Sequence, residues 1–387
     1  MFLADTELIS RCSKLQILNI SFCNSLFMSG QLLSKSEDRE RIAISLENLK
    51  ELNLSSIRYI SDVTFSRLLG VCFNLEKLIV GGNKISFHSD AYYGKADKLN
   101  SSLLRFKTVA DCIEERAAKM KVLDFSRTNI DDDALLQLSG LDKLVLLELY
   151  LVCCRELSTS GVVAMAKAQN KLQVLDLSQC NEIGDGVFRS VCEHLHHMRH
   201  LRLNKCCMIS DSSIGSIHML DEMESFEIAS NYLITARAFS NSLNKGKLTR
   251  LKTLNLSHCT EILRDTFAVA LCRNLSMSLV HLDISSSKIT DIGLQFICIN
   301  MVALKSLILQ WNSDVTDKGL LGIALDVDVE HELTHQQNGV CKCHRRKMGE
   351  NVLNLPQVEK KTAEDQRPLG VESMVPYSSL CNHSLTL

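Results

Sequence analysis

The chain has 387 residues, 45% of them hydrophobic and only 5% aromatic, and Leu, Ile and Val supply most of the apolar content. Its 43 Lys and Arg face 45 Asp and Glu, so there is no basic excess, and general binding to a nucleic-acid backbone is excluded. The opening MFLADTELIS puts Asp5 and Glu7 where a secretory leader needs an apolar run. The most apolar stretch, 296–304, is about half of the roughly 20 residues a membrane-spanning helix requires.

In chain order, the first organising feature is the motif L-x-x-L-x-L, with Met, Ile, Val or Phe allowed for Leu. It starts at Leu15, Leu49, Leu75, Met120, Leu144, Leu172, Met198, Met223, Leu251, Leu279 and Leu304. From Met120 onward the starts are 24, 28, 26, 25, 28, 28 and 25 residues apart, within the range of about 20–29 for leucine-rich repeats. Alternation within the motif predicts a short strand with its apolar residues on one face and the intervening ones on the other. Leu175 should therefore point inward and Asp176 outward, onto open surface. Three residues after the last apolar position comes a small polar or thiol residue, in Cys23, Asn83, Cys180, Cys206, Asn231, Cys259 and Asn312. Such a side chain can satisfy backbone groups where the strand bends away. A Ser/Thr/Gly-Asp pair follows, as in Ser61-Asp62, Gly184-Asp185, Thr290-Asp291 and Thr316-Asp317. Apolar residues at helical spacing come after it, which predicts a capped helix.

A strand plus a helix cannot bury its apolar face alone, so stacking is required. The expected fold is α/β: a leucine-rich-repeat solenoid (horseshoe) with parallel strands on the concave face and helices on the convex face. Residues 1–325 should form an array of about eleven repeats, with an insertion or decayed repeat near 86–110 where the spacing reaches 45. Residues 326–387 hold all three prolines and read as a mostly disordered tail. That tail contains HELTH (331–335), a metalloprotease-like string, and Cys341, Cys343 and His344, which are possible zinc donors. Without a catalytic domain around them neither carries a site, and no cofactor, metal or enzymatic activity is expected. The sixteen cysteines, with no leader, suit reduced thiols in the cytoplasm or nucleus.

The combination L-x-x-L-x-L-x-x-C followed by I-[S/T/G]-D, clearest at 175–192, 201–215 and 282–298, resembles the cysteine-containing repeats of the F-box/leucine-rich-repeat family. The resemblance covers about 320 residues. It implies substrate capture for an SCF-type (cullin–RING) ubiquitin ligase, with an N-terminal F-box docking on the ligase adaptor. Only 14 residues precede Leu15, too few for an F-box, so the chain is expected to be a fragment or short form. It would bind the adaptor only through an upstream F-box.

The concave face is where a protein partner should bind. Its outward strand positions are read as Asp124, Glu148, Asp176, Arg202, Glu227, Asn255 and Asp283. The candidate partner-binding residues are Arg199, Arg202, Lys205, Lys252, His258, His281 and the single tryptophan, Trp311, since Arg and Trp are favoured interface anchors. The cations of this set would steer an acidic or phosphorylated segment. The alternative is a structural or regulatory scaffold, ciliary or cell-cycle, without ubiquitin function.

Overall fold

The computed structural model describes residues 12–87, 103–246 and 248–322. Each apolar–polar alternation becomes a short strand, and each strand stacks on the next in parallel. The strands are β1 (Ile17–Asn19), β2 (Glu51–Asn53), β3 (Lys77–Ile79), β4 (Ile85–Ser86), β5 (Leu104–Arg105), β6 (Val122–Asp124), β7 (Glu148–Tyr150), β8 (Val174–Asp176), β9 (His200–Arg202), β10 (Ser225–Glu227), β11 (Thr253–Asn255), β12 (His281–Asp283) and β13 (Ser306–Ile308). Eleven of them form one parallel sheet in sequence order, and β4 and β5 pair separately. The register is in phase throughout. Leu149 pairs with Leu175 and Leu175 with Leu201, while Phe226 pairs with Leu254. In the main sheet the central residue of each strand from β2 through β12 is buried, leaving the flanking residues on the open face, the concave side of such a solenoid. The chain is thus an α/β leucine-rich-repeat solenoid.

Helices close the other side. Their ranges include Asp62–Leu69, Phe106–Glu114, Asp132–Ser139, Thr159–Ala168, Asp185–His194, Ala236–Leu243, Asp265–Leu275 and Asp291–Asn300. Between them and the sheet, rings stack from repeat to repeat. Phe188, Phe226, Phe239 and Phe267 follow one another at centroid separations of 6.3, 6.2 and 5.4 Å. The expected caps form. Ser61, Ser158, Ser210, Thr235, Thr290 and Thr316 each accept a backbone N–H from the first turn of the helix they open. No helix among the described residues is long and apolar enough to cross a membrane.

Two ladders of polar side chains tie each repeat to the one before it. The thiols of Cys154, Cys180, Cys206 and Cys259 donate to the carbonyls of Phe125, Leu151, Leu177 and Ile228, at 3.4, 3.0, 3.1 and 3.1 Å. Asn83, Asn231 and Asn312 do the same through Nδ2, to Leu54, Leu203 and Ile284. On the helix side, the Asp opening one helix accepts from the residue capping the next. Asp185 takes the N–H and hydroxyl of Ser210, Asp265 those of Thr290, and Asp291 those of Thr316. Gly293 and Gly319 lie in the following first turns because a Cβ there would collide with Asp265 and Asp291 respectively.

Two expectations change, the register of the fifth repeat and the exposure of Asp176. The fifth repeat is shifted by two residues. Leu146, Leu149 and Leu151 are its buried positions, and Tyr150, not Glu148, aligns with Asp124 and Asp176. This brings Cys154 into the thiol ladder. The segment near 86–110 adds no strand to the main sheet, since β3 pairs directly with β6. Its described ends form the β4–β5 pair and the start of the Phe106–Glu114 helix, while 88–102 lie outside the described residues. Asp176 is only 8% exposed rather than open to solvent. The residues 326–387, with HELTH, Cys341 and Cys343, lie outside the described residues.

Candidate functional site on the open face of the sheet

The third residue of most strands is Asn or Asp, and its carboxyl or amide oxygen accepts the N–H two residues on. Asn53 holds Ser55 at 2.9 Å, Asp124 holds Ser126 at 2.8 Å, Asp176 holds Ser178 at 3.0 Å and Asn255 holds Ser257 at 2.9 Å. These turns end the strand, so the acid or amide there has a structural task. β3 and β13 have apolar Ile79 and Ile308 at this place, whereas β7, β9 and β10 depart from the rule with polar Tyr150, Arg202 and Glu227. In each case the preceding repeat supplies the missing acceptor. Ser126 Oγ accepts from Val152 N, Ser178 Oγ from Asn204 N, and Asn204 Oδ1 from Ala229 N. Tyr150, Arg202 and Glu227 are thereby freed from closing a turn.

They take part in two polar groups on adjoining strands. The Tyr150 hydroxyl donates to Glu148 Oε2 at 2.8 Å. Arg202 Nε donates to Glu227 Oε1 at 3.0 Å, and Asn204 Nδ2 to Glu227 Oε2 at 3.1 Å. Asp176 Oδ2 lies 4.0 Å from the Arg202 guanidinium. Burial, then the neighbouring Glu148, pushes the Tyr150 phenol up. Burial also pushes the Asp176 carboxyl up, against the Ser178 hydrogen bonds and Arg202 that favour its charged form.

The Leucine Rich repeat family profile matches residues 168–186, 194–217, 275–298 and 303–324. Together with the eleven-stranded parallel sheet, this decides the matter. The chain carries leucine-rich repeats and has the leucine-rich-repeat solenoid fold. Its structure is similar to that of Rad7 in the yeast Rad7–Elc1 complex, with a TM-score of 0.55 and 18% identity over 74% of this chain and 69% of that one. It is also similar to an internalin (inlF) of Listeria monocytogenes, with a TM-score of 0.43 and 18% identity over 82% and 86% of the two chains. No curated protein sequence matches the chain.

Within this leucine-rich-repeat solenoid the seven candidate residues fall into three places. Arg202 and His281 project from strands onto the open face. Arg199 and Lys252 lie one residue ahead of β9 and β11. Lys205, His258 and Trp311 occupy the turn after the strand, in a row with Phe22, Ser56, Arg127, Cys153, Gln179, Ser230 and Ser286 that all carry a positive φ. Trp311, 84% exposed, is therefore a rim residue and not a strand residue.

The charges of Arg199, Arg202 and Lys252 are offset where they stand. Lys252 Nζ is 2.7 Å from Glu224 Oε2, and Arg199 is 4.0 Å from both Glu222 and Glu224. The Lys252 hydrogen bond holds the Glu224 carboxyl below the usual range. The same alternation recurs at Lys50, Glu76 and Lys121. Among the described residues no group of three or more His, Cys, Asp or Glu side chains could hold a metal ion. Sequence reasoning missed Tyr150, because the register of its repeat was misread. The signal that finds it is Cys154, which aligns with Cys180 only if Leu151 ends the motif.

Proposed function

We propose that this chain recognises a protein partner on its concave sheet face, and that it does so as the substrate-recruiting subunit of an SCF-type ubiquitin ligase, or as a fragment of one. One observation carries the reading. Eleven parallel strands present side chains that no helix covers, and at Tyr150, Arg202 and Glu227 those side chains are spared structural duty. A rigid surface of this kind loses little ordering entropy on binding. Arg199, Arg202, Lys252 and His281 belong to the proposed surface, with Lys205, His258 and Trp311 along its rim. The ubiquitin-ligase role is supported by the cysteine-containing repeats, whose thiols cap the preceding repeat. Rad7, a relative in fold, was solved with its partner Elc1.

The test is affinity capture from cell lysate with the wild-type chain, a Tyr150→Ala/Arg202→Ala variant, an Arg199/Arg202/Lys205 charge reversal and Trp311→Ala, read by mass spectrometry. Partners lost from the open-face variants, together with ligase adaptor and cullin recovered through a form of the chain carrying an F-box, are the expected result. Partners retained in every variant move the site off this face. Partners lost without any ligase component leave the scaffold reading in place of the ubiquitin one.

A further inference from the structure

At its C-terminal end the main sheet stops on an apolar edge. Leu279, Leu282 and Ile284 are at most 1% exposed, whereas their equivalents one repeat on, Leu304, Leu307 and Leu309, are only partly buried. The backbone is left open as well. Along the array the N–H groups on one side of each repeat donate to carbonyls of the repeat that follows, as Leu256 does to Asp283, Ile284 to Ile308 and Ser286 to Gln310. Leu309 and Trp311 come next in these rows, and their N–H groups meet no acceptor among the described residues. Lys305 stands where Lys252 stands two repeats earlier. Lys252 has Glu224, but Lys305 has no ion-pair partner among the described residues. A bare strand edge and an uncovered apolar end are both costly in a solenoid.

Two spacings of the repeat carry on beyond Gly322. From the Asp that opens a helix to the central residue of the next strand there are 16 residues at Asp185–Leu201, 15 at Asp211–Phe226, 17 at Asp265–Leu282 and 16 at Asp291–Leu307. Sixteen residues from Asp317 is Leu333, and it is the one hydrophobic residue between Val329 and Val340. From the central residue to the Cys or Asn that reaches back there are 5, as at Leu175–Cys180, Leu201–Cys206, Phe226–Asn231 and Leu307–Asn312. Five residues from Leu333 is Asn338.

We infer that the chain closes its own array: residues 332–334 add a further parallel strand against β13, with Leu333 beside Leu307 and Asn338 donating to the Leu309 carbonyl. The new strand supplies carbonyls for the N–H groups of Leu309 and Trp311, and Glu330 and Glu332 bring a carboxylate to Lys305. Glu330 and His335 fall where Leu304 and Leu309 stand, so this unit brings one apolar side chain inward and ends the stack, as a capping unit does. HELTH is then an extended segment and not a metal-binding helix. His331 and His335 lie about 13 Å apart along a strand, against about 6 Å across a helical turn, and cannot share a zinc ion. Glu332 and Thr334 join the open face beside Ser306 and Ile308, so the proposed recognition surface runs one strand past Trp311.

The test is amide hydrogen exchange on the full chain, read by mass spectrometry. In the wild type the amides of Leu309 and Trp311 should exchange within about tenfold of the rate of Ile284 and Ser286, as in a covered strand. Thr334→Pro removes the N–H that the new strand would donate to β13, and should speed exchange over 305–313 about tenfold or more. Leu333→Asp should do the same and lower the melting temperature. Val352→Pro, farther along the chain, should do neither, and unchanged protection of Leu175 in every variant certifies the rest of the array. Fast exchange at Leu309 and Trp311 in the wild type overturns the inference. So does protection that survives Thr334→Pro and Leu333→Asp, or that Val352→Pro removes equally. Zinc bound one to one by the wild type and lost from both His331→Ala and His335→Ala overturns it too. No partner enters these measurements, so their failure leaves the recognition reading standing, and failed lysate capture leaves the closing strand standing.

Discussion

Asp185, at the start of one helix, accepts both the backbone N–H and the hydroxyl of Ser210, which caps the next helix, at 2.8 and 2.6 Å. The hydroxyls of Ser212 and Ser213 complete the cage at 2.5 Å each. Burial alone would raise the carboxyl, but these donors hold it at about 2, below its ordinary 3.8. A carboxylate so depressed stabilises the fold above the unfolded value, and the contribution disappears as pH falls from about 4 toward 2. Its size is about 2 kcal/mol. Asp185→Asn should lower the melting temperature at pH 7 and flatten its decline between pH 4 and 2. Parallel acid curves for the two proteins would show the cage to be energetically idle.

Leu175 and its neighbour separate packing from charge. Leu175→Ala, at a site 2% exposed, should cost about 2–5 kcal/mol by chemical denaturation. Asp176→Asn should be nearly neutral, because Asn255 makes the same turn. Asp176→Lys should cost about 2 kcal/mol or more, since it loses the Ser178 turn and sets a cation against Arg202. Equal loss in the Asn and Lys variants would mean that the side chain is not held as described.

Arg116 is a buried cation, 7% exposed, that donates to three main-chain carbonyls: Leu69 at 2.6 Å, Cys112 at 2.8 Å and Cys72 at 3.0 Å. It joins the C-terminal ends of the helices Asp62–Leu69 and Phe106–Glu114, where positive charge is favoured. Arg116→Ala should cost about 3 kcal/mol or more by leaving those carbonyls unpaired. Arg116→Lys should recover only part, because an ammonium lacks the planar fork that reaches all three. A melting temperature that Lys restores completely would refute the fork's role.

Thiol reactivity should follow position in the ladder. Burial pushes the Cys180 thiol up to about 12 and that of Cys259 to about 11, and both are fully covered. Native alkylation should leave these and Cys206 intact while labelling Cys23 and Cys207, which are exposed, with Cys298 following more slowly as partial burial raises its thiol. Peptide mapping before and after denaturation reads the difference. Rapid native labelling of Cys180 would mean that its hydrogen bond to Leu151 is broken in solution.

The repeat period was legible because every unit must bury its own leucines, so spacing and burial carry the same information. The register of one repeat was not. In 144–151, LVLLELYL, both Leu144-x-x-Leu147-x-Leu149 and Leu146-x-x-Leu149-x-Leu151 satisfy the motif. Only the thiol three residues beyond Leu151 breaks the tie. The cations of the candidate site were legible as residues but not as ion pairs, because their carboxylates stand one repeat away. Lys252 and Glu224 are 28 residues apart, and Arg202 and Glu227 are 25 apart. Trp311 was misplaced for another reason. Its turn needs the left-handed region, where glycine is the usual occupant, yet this protein fills it with Phe22, Arg127, Lys205, His258 and Trp311.

The thiol rungs and the Asp–Ser/Thr ladder run in one direction along the chain. A cysteine reaches the carbonyl of the repeat made before it, and a capping Ser or Thr reaches the Asp of the repeat made before it. A ribosome releases the N-terminal repeats first. Each emerging unit therefore meets acceptors that its predecessor has already set in place, and brings the donors itself. Growth from the opposite end would offer donors to acceptors not yet in position. The bonding pattern thus gives the solenoid a polarity matched to the order of its own synthesis.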